Sequence, residues 1–216
     1  LLIPRKLNAL GAKLVFSPMQ TMGSIGRKYR LILTLHDLIY YAHPTPPPSF
    51  AWPIRFGWRL FHMSYIPQRI MLNGADAVVT VSKTTKSLIE KHRLTKKPVF
   101  VVYNAASGVS QVTRGTPEKS LVYMGSYMDY KNVECLIKAM SFLPEYQLHL
   151  LSRISDARKT QLLEVNSSVN ERVIFHNGVT DQEYHSILGK AFALVSASKD
   201  EGFGIPVVEA MELGTP

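Results

Sequence analysis

The sequence predicts an α/β fold with two parallel sheets, and three observations carry that prediction. Apolar runs of strand length alternate with helix-period stretches along most of the chain. Charge is divided unevenly between the two halves. Between the halves, residues 104–117 are rich in small and polar side chains and have no periodicity. The 216 residues provide for one large domain or two small ones, and an apolar fraction of 46% excludes a disordered chain. No apolar run approaches the roughly 18–20 residues that a membrane-spanning helix needs.

The elements follow from the pattern in order. Short apolar runs place strands at 13–16, 31–35, 77–81 and 99–102 in the first half, and at 120–124, 147–151, 172–175 and 191–196 in the second. Helical spacing places helices at 50–73, 83–91, 132–140, 155–168, 181–190 and 206–213. The prolines at 44–48 read as a rigid loop. The division is a partial N-terminal domain over 1–108, a linker over 109–117 and a partial C-terminal domain over 118–216. Each half supplies about four strands where a doubly wound domain carries about five or six, so both domains read as incomplete and the chain as cut at both ends. Leu1 in place of Met, with no signal-peptide pattern in residues 1–10, agrees with a cut. The single cysteine, Cys135, forms no internal disulfide and suits a reducing compartment.

The net charge of +9 hides a division. Residues 1–110 carry 15 Lys and Arg against Asp37, Asp76 and Glu90, a balance of +12; residues 111–216 carry 10 against 13, a balance of −3. Two halves of opposite sign point to two different partners rather than one uniform nucleic-acid coat. Anionic membrane, phosphorylated lipid and nucleic acid all stay open for the basic half at this point.

Chemistry concentrates near the C-terminus, where a buried-type strand runs into Lys199-Asp200-Glu201-Gly202-Phe203-Gly204-Ile205-Pro206 and then a helix containing Glu209. Pro206 suits the first helical position, where its missing N–H has no intrahelical partner. Gly202 and Gly204 let backbone approach a ligand, and the positive end of the helix beside them suits a diphosphate. Glu201 and Glu209 flank that corner. A carboxylate's two oxygens match vicinal hydroxyls, one pair on a ribose and one on a sugar. The competing reading makes Glu201 a solvated loop residue and Glu209 a helix-start charge favoured by the dipole.

The run from Glu201 to Glu209 around Gly-Phe-Gly-Ile-Pro resembles the signature of the retaining GT-B glycosyltransferases of family 4. The resemblance continues in Gly74-Ala75-Asp76-Ala77-Val78-Val79-Thr80-Val81-Ser82-Lys83, in Leu121 to Asn132 with Gly125 and Lys131, and in Thr34-Leu35-His36-Asp37-Leu38, all in family order. It implies two Rossmann-like domains meeting at a cleft. It also implies transfer of a hexose, mannose-type favoured, from a nucleoside diphosphate sugar in cell-envelope or lipid-linked polysaccharide synthesis. By the same resemblance, Glu209 binds the ribose, Glu201 contacts the donor sugar hydroxyls, and Gly202, Phe203, Gly204 and Ile205 face sugar and diphosphate. Lys131 neutralises the diphosphate, Gly125 and Ser126 belong to the donor loop, and His36 faces the transferred sugar. His36, Glu201 and Lys131 form the catalytic set.

No cofactor and no metal is expected: the seven histidines are scattered and Asp129 stands alone. Two departures stand out. Ser126 occupies the place where many relatives carry Arg, with Arg153 a second candidate for the diphosphate, and Leu151-Ser152-Arg153-Ile154 replaces a glycine-containing loop. Asp37 either orients the His36 imidazole or starts a turn.

The acceptor, a glycan or a lipid-linked glycan, is expected on the basic half. The stretch 50–73, with Trp52, Trp58, Phe56, Phe61, Tyr65, Arg55, Arg59 and Arg69, reads either as a peripheral contact with anionic membrane or as a long core-facing helix. The expected location is the cytoplasm, at the inner face of the membrane, and nucleic acid is not an expected partner. The second functional reading is a noncatalytic sugar-nucleotide-binding fragment.

Overall fold

A computed structural model describes residues 2–47, 50–106 and 113–216. Contacts divide the chain into two units, Leu1–Asn104 with Glu201–Phe203, and Ala105–Asp200 with Gly204–Pro216. The linker expected at 109–117 lies partly outside the described residues. Within its described part, Gly115 donates its N–H to the Gly189 carbonyl at 3.0 Å and Arg114 bonds the Thr215 hydroxyl, so this stretch is fastened to the second unit.

The first unit holds helix α1 (Leu2–Ala9), strands β1 (Leu14–Ser17) and β2 (Arg30–Leu35), helices α2 (Ile39–Ala42), α3 (Trp52–His62) and α4 (Ile66–Asn73), strand β3 (Ala77–Thr80), helix α5 (Lys83–Lys91) and strand β4 (Val99–Val101). The strands are parallel in the order β1-β2-β3-β4, with Leu33 beside Val78 and Thr34 beside Val79. Leu31, Leu33 and Leu35 are buried on one face of β2, and Thr34 is buried on the other with its hydroxyl on the Ser17 carbonyl at 2.9 Å. A strand covered on both faces explains the continuous apolar run. Asp76, at the start of β3, accepts from the Leu31 N–H at 2.7 Å and from Arg27 at 2.6 Å, tying β3 to β2.

The single helix expected at 50–73 is two helices. Pro67 lies in the first turn of α4, where it has no N–H to give the Met63 carbonyl and its ring crowds that carbonyl. Ser64 accepts the Ile66 N–H at 3.4 Å and forms the turn. Helices α1 and α2 were not foreseen; α2 is a single turn, too short for a periodic signal.

The second unit holds β5 (Ser120–Tyr123), a 3₁₀ turn (Asp129–Lys131), α6 (Val133–Ala139), β6 (Gln147–Leu150), α7 (Asp156–Glu164), β7 (Val173–Phe175), α8 (Asp181–Lys190), β8 (Ala193–Leu194) and α9 (Ile205–Leu213). Its strands are parallel in the order β7-β6-β5-β8. All four residues of β5 are buried, and Leu148, Leu150, Val133 and Ile137 pack with it. Side chains of Ser155 and Thr180 cap α7 and α8, the latter in a reciprocal capping box with Glu183. The strand expected over 191–196 is only Ala193–Leu194, because Ala191 still ends α8. The end of the helix expected at 155–168 is a 3₁₀ segment, Ser167–Arg172. Among the described residues, no helix is long and apolar enough to cross a membrane.

Candidate functional site

In the second unit the chain leaves β5 for β6 and β7 on one side and returns as β8 on the other. This reversal makes the carboxyl ends of β5 and β8 a topological switch point, the place where open parallel sheets bind ligands. The loops that leave these neighbouring strands carry the predicted residues. Gly125, Ser126 and Lys131 follow β5, and the loop after β8 leads through Gly204 into α9. The Lys199 N–H donates to the Tyr130 carbonyl at 2.8 Å and holds the two loops together beside Lys131.

Gly125 has a steric reason to be glycine, since a Cβ there would stand 2.7 Å from the Tyr123 hydroxyl. That hydroxyl donates to the Ser126 carbonyl at 2.6 Å and clamps the loop. The Gly125 N–H donates to Ser152 Oγ at 3.1 Å, and the Tyr127 hydroxyl donates to the Ser152 carbonyl at 3.2 Å. Ser152, one of the sequence departures, is therefore the brace of the loop after β5. Arg153 packs its side chain over Gly178, whose Cβ position lies 2.7 Å from Arg153 Cγ. Lys131 ends the 3₁₀ turn with Nζ 5.4 Å from the Tyr130 ring centroid. Asn132, in the left-handed conformation at φ 53°, turns the chain from it into α6.

Helix α9 starts at Ile205, so Pro206 stands second rather than first; Gly204 caps it at φ 85°, a conformation suited to glycine. The Val207 and Val208 N–H groups close on the Gly204 carbonyl at 3.0 and 3.4 Å, and Pro206 has none. The pull of this end on an anion rests on the helix dipole more than on a fan of free amides.

Glu209 is not a helix-start charge. It lies in the second turn of α9, 8% exposed, and accepts a hydrogen bond from the Tyr184 hydroxyl at 2.8 Å. Burial, reinforced by the Glu209 carboxylate, pushes the Tyr184 hydroxyl well above the usual tyrosine range, which keeps it a neutral donor. Tyr184 escaped the sequence reading. Its only signal was its place one turn before Leu188 on the inward face of α8.

In the first unit His36 follows β2 and is exposed, with Nε2 2.7 Å from the Pro18 carbonyl. A carbonyl only accepts, so Nε2 is the donor in this bond. Asp37 accepts the Ile39 N–H at 3.0 Å and so starts the turn into α2. Glu201, Gly202 and Phe203 are grouped with this unit, and a Cβ on Gly202 would stand 3.1 Å from Asp37 Cβ. Glu201 is exposed.

A cavity of about 600 Å³ lies beside His36 and is lined by α2, α3 and α4. The core-facing reading of 50–73 holds for α4, where Leu72 is buried in the core, and fails for α3, none of whose residues is buried: Trp58, Phe61 and His62 line the cavity, while Trp52, Phe56 and Leu60 are more than half exposed. Among the described residues, no group of three or more His, Cys, Asp or Glu is placed to hold a metal ion.

Residues 109–216 match the family model Glycosyl transferases group 1, and residues 3–107 match Glycosyltransferase Family 4. The chain is 29% identical over 189 residues to the O-antigen chain mannosyltransferase RfbU of Salmonella typhimurium, covering 85% of this chain and 50% of that protein. It is 26% identical over 170 residues to the lipopolysaccharide 1,6-galactosyltransferase of the same organism, covering 74% and 47%. The chain thus spans about half the length of these curated relatives. Among solved structures, sucrose-phosphate synthase from Thermosynechococcus elongatus superimposes with a TM-score of 0.71 at 19% identity, over 99% of this chain and 57% of that one. HepE of Anabaena, in complex with UDP and glucose, superimposes with a TM-score of 0.68 at 18% identity, over 94% and 58%. These likenesses show the GT-B fold.

Proposed function

We propose a hexosyl transfer for this chain, which belongs to the glycosyl transferases group 1. A hexose, mannose favoured, moves from a nucleoside diphosphate sugar to an acceptor hydroxyl with retention at the anomeric carbon, in cell-envelope or lipid-linked polysaccharide synthesis. The observation that carries this reading is the reversal of strand order between β5 and β8, where the loop that leads to α9 is tied to the Lys131 turn by the Lys199–Tyr130 bond.

Each group has a physical task. Buried Glu209, oriented by Tyr184, accepts hydrogen bonds from ribose hydroxyls. Glu201 takes the donor sugar hydroxyls, and Gly202, Phe203, Gly204 and Ile205 present backbone to sugar and diphosphate. Lys131 and the α9 dipole stabilise negative charge on the departing diphosphate, a task that calls for no metal. The acceptor oxygen attacks the anomeric carbon on the face the nucleotide leaves. The bond from that carbon to the phosphate oxygen breaks, and the acceptor proton passes to the departing phosphate. His36 faces the transferred sugar, and the residues orient rather than form a covalent intermediate.

Donor hydrolysis and transfer by the full-length protein test the reading. Glu201→Ala and Lys131→Ala are each expected to lower both rates by at least tenfold, and unchanged rates in both would overturn it. Because the chain spans half of its curated relatives, the second reading is a noncatalytic sugar-nucleotide binder. It predicts a calorimetric heat with GDP or UDP and no turnover.

A further inference from the structure

Arg158 stands in the first turn of α7, three residues after the cap Ser155. A cation there opposes the positive end of the helix dipole, which favours an acidic residue such as Asp156 in the same turn. The position is unfavourable for an arginine unless groups outside the helix compensate for it.

The compensating groups belong to the loop after β5 and the start of α6. Arg158 Nε donates to the Tyr127 carbonyl at 3.2 Å, Nη2 donates to Glu134 Oε1 at 2.5 Å, and Nη2 also lies 3.7 Å from Asp129 Oδ1. Nη1 turns back to Gln161 Oε1 at 3.4 Å. The Arg158 and Glu134 side chains are largely sheltered, at 22% and 28% exposure, whereas Asp129 is 84% exposed.

These contacts bracket Lys131. Asp129 opens the 3₁₀ turn that Lys131 ends, and Glu134 lies in the first turn of α6 just beyond it. One guanidinium therefore reaches both sides of the lysine from a helix 24 to 31 positions away. Among the described residues, Asp129 and Glu134 each form their ion pair with Arg158. From Gly125 to Glu134 the sequence holds these two carboxylates against one basic side chain, Lys131. The segment alone is net negative, and Arg158 brings it to balance.

That balance decides how the turn meets an anion. Two carboxylates without a counter-charge, both within three positions of Lys131, repel an incoming diphosphate and compete with it for the ammonium group. The bonds from Tyr123 to Ser126 and from Tyr127 to Ser152 also fasten this loop, but through neutral hydroxyls that offset no charge.

We propose that Arg158 is a positioning residue for the donor diphosphate: it takes up the Asp129 and Glu134 carboxylates, so that the Lys131 turn attracts the anion. It acts through the turn and not by contact with the donor. The proposal rests on the transferase reading and adds one residue to its donor site.

Calorimetry of the full-length protein with GDP and UDP tests it. Arg158→Met keeps the stem and removes the charge, and is expected to weaken the tighter nucleotide about tenfold. Arg158→Lys keeps the charge and should lose less. Adding Asp129→Asn to Arg158→Met should recover about threefold of the affinity with no gain in Tm, because an ion pair of so exposed a carboxylate contributes little to stability. The triple variant Arg158→Met, Asp129→Asn, Glu134→Gln leaves no unpaired charge that could unfold the loop, and should bind within about threefold of wild type. Unchanged affinity in Arg158→Met overturns the proposal. So does a triple variant as weak as Arg158→Met, which would leave Arg158 a packing role alone. Lys131→Ala separates the two readings. If it leaves nucleotide affinity unchanged, the transferase reading falls and the role of Arg158 with it; if it weakens binding and Arg158→Met does not, only the role of Arg158 is lost.

Discussion

The Tyr184 hydroxyl on α8 donates a 2.8 Å hydrogen bond to Oε2 of Glu209 on α9, and both side chains are buried. A carboxylate in this position is aimed, not merely present. Tyr184→Phe removes the donor and leaves a buried acceptor unpaired, at about 1–3 kcal/mol. We expect nucleoside diphosphate affinity to fall about five- to tenfold with a smaller change in kcat. Urea unfolding and calorimetry on one sample check it, and unchanged nucleotide affinity would remove Tyr184 from the site.

Gly125 and Tyr123 form a second pair that a substitution cycle resolves. Gly125→Ala sets a methyl group 2.7 Å from the Tyr123 hydroxyl and displaces its bond to the Ser126 carbonyl. A loss of about 1–3 kcal/mol is expected. Adding Tyr123→Phe relieves the clash, so the double variant should be more stable than Gly125→Ala alone; additive losses in urea unfolding would refute this account.

Acid sensitivity is expected from His149 in β6, whose Nδ1 lies 3.0 Å from Nε2 of His176. Burial first, and the His176 charge second, hold His149 below its usual value. The folded state therefore binds fewer protons than the unfolded one. Its contribution is fully present above the unfolded value of about 6.5 and is lost as pH falls through the lowered folded value. Wild-type Tm should drop more between pH 7.5 and 5.5 than that of His149→Gln, and parallel drops would exclude this pair as the cause.

The exposed stripe on α3 predicts peripheral membrane contact. Trp52 and Phe56 stack at 6.0 Å, 76% and 55% exposed, and Arg55 and Arg59 lie on the same helix. Sedimentation with anionic vesicles should exceed that with neutral vesicles, and Trp52→Ala with Arg59→Ala should abolish the difference. Equal binding to both vesicles would reject an electrostatic contact.

Periodicity and residue type by themselves determined the eight strands; for central strands such as β2 the reason is that a parallel strand covered on both faces is apolar along most of its length, as Leu31, Leu33 and Leu35 show. They also determined the glycine corner before α9, because only glycine adopts φ 85° without strain. Tertiary structure alone decided the partners of those residues. Tyr184 meets Glu209 and Ser152 braces Gly125 across separations of 25 and 27 positions, and local sequence does not encode such contacts. The break at Ser64–Tyr65 was legible in Pro67 but hidden by the continuous aromatic pattern around it. The cavity lined by Tyr41, Trp58 and Gln68 had no sequence signal at all, because a cavity is a property of the space between elements distant in sequence and exists only once the chain has closed that space.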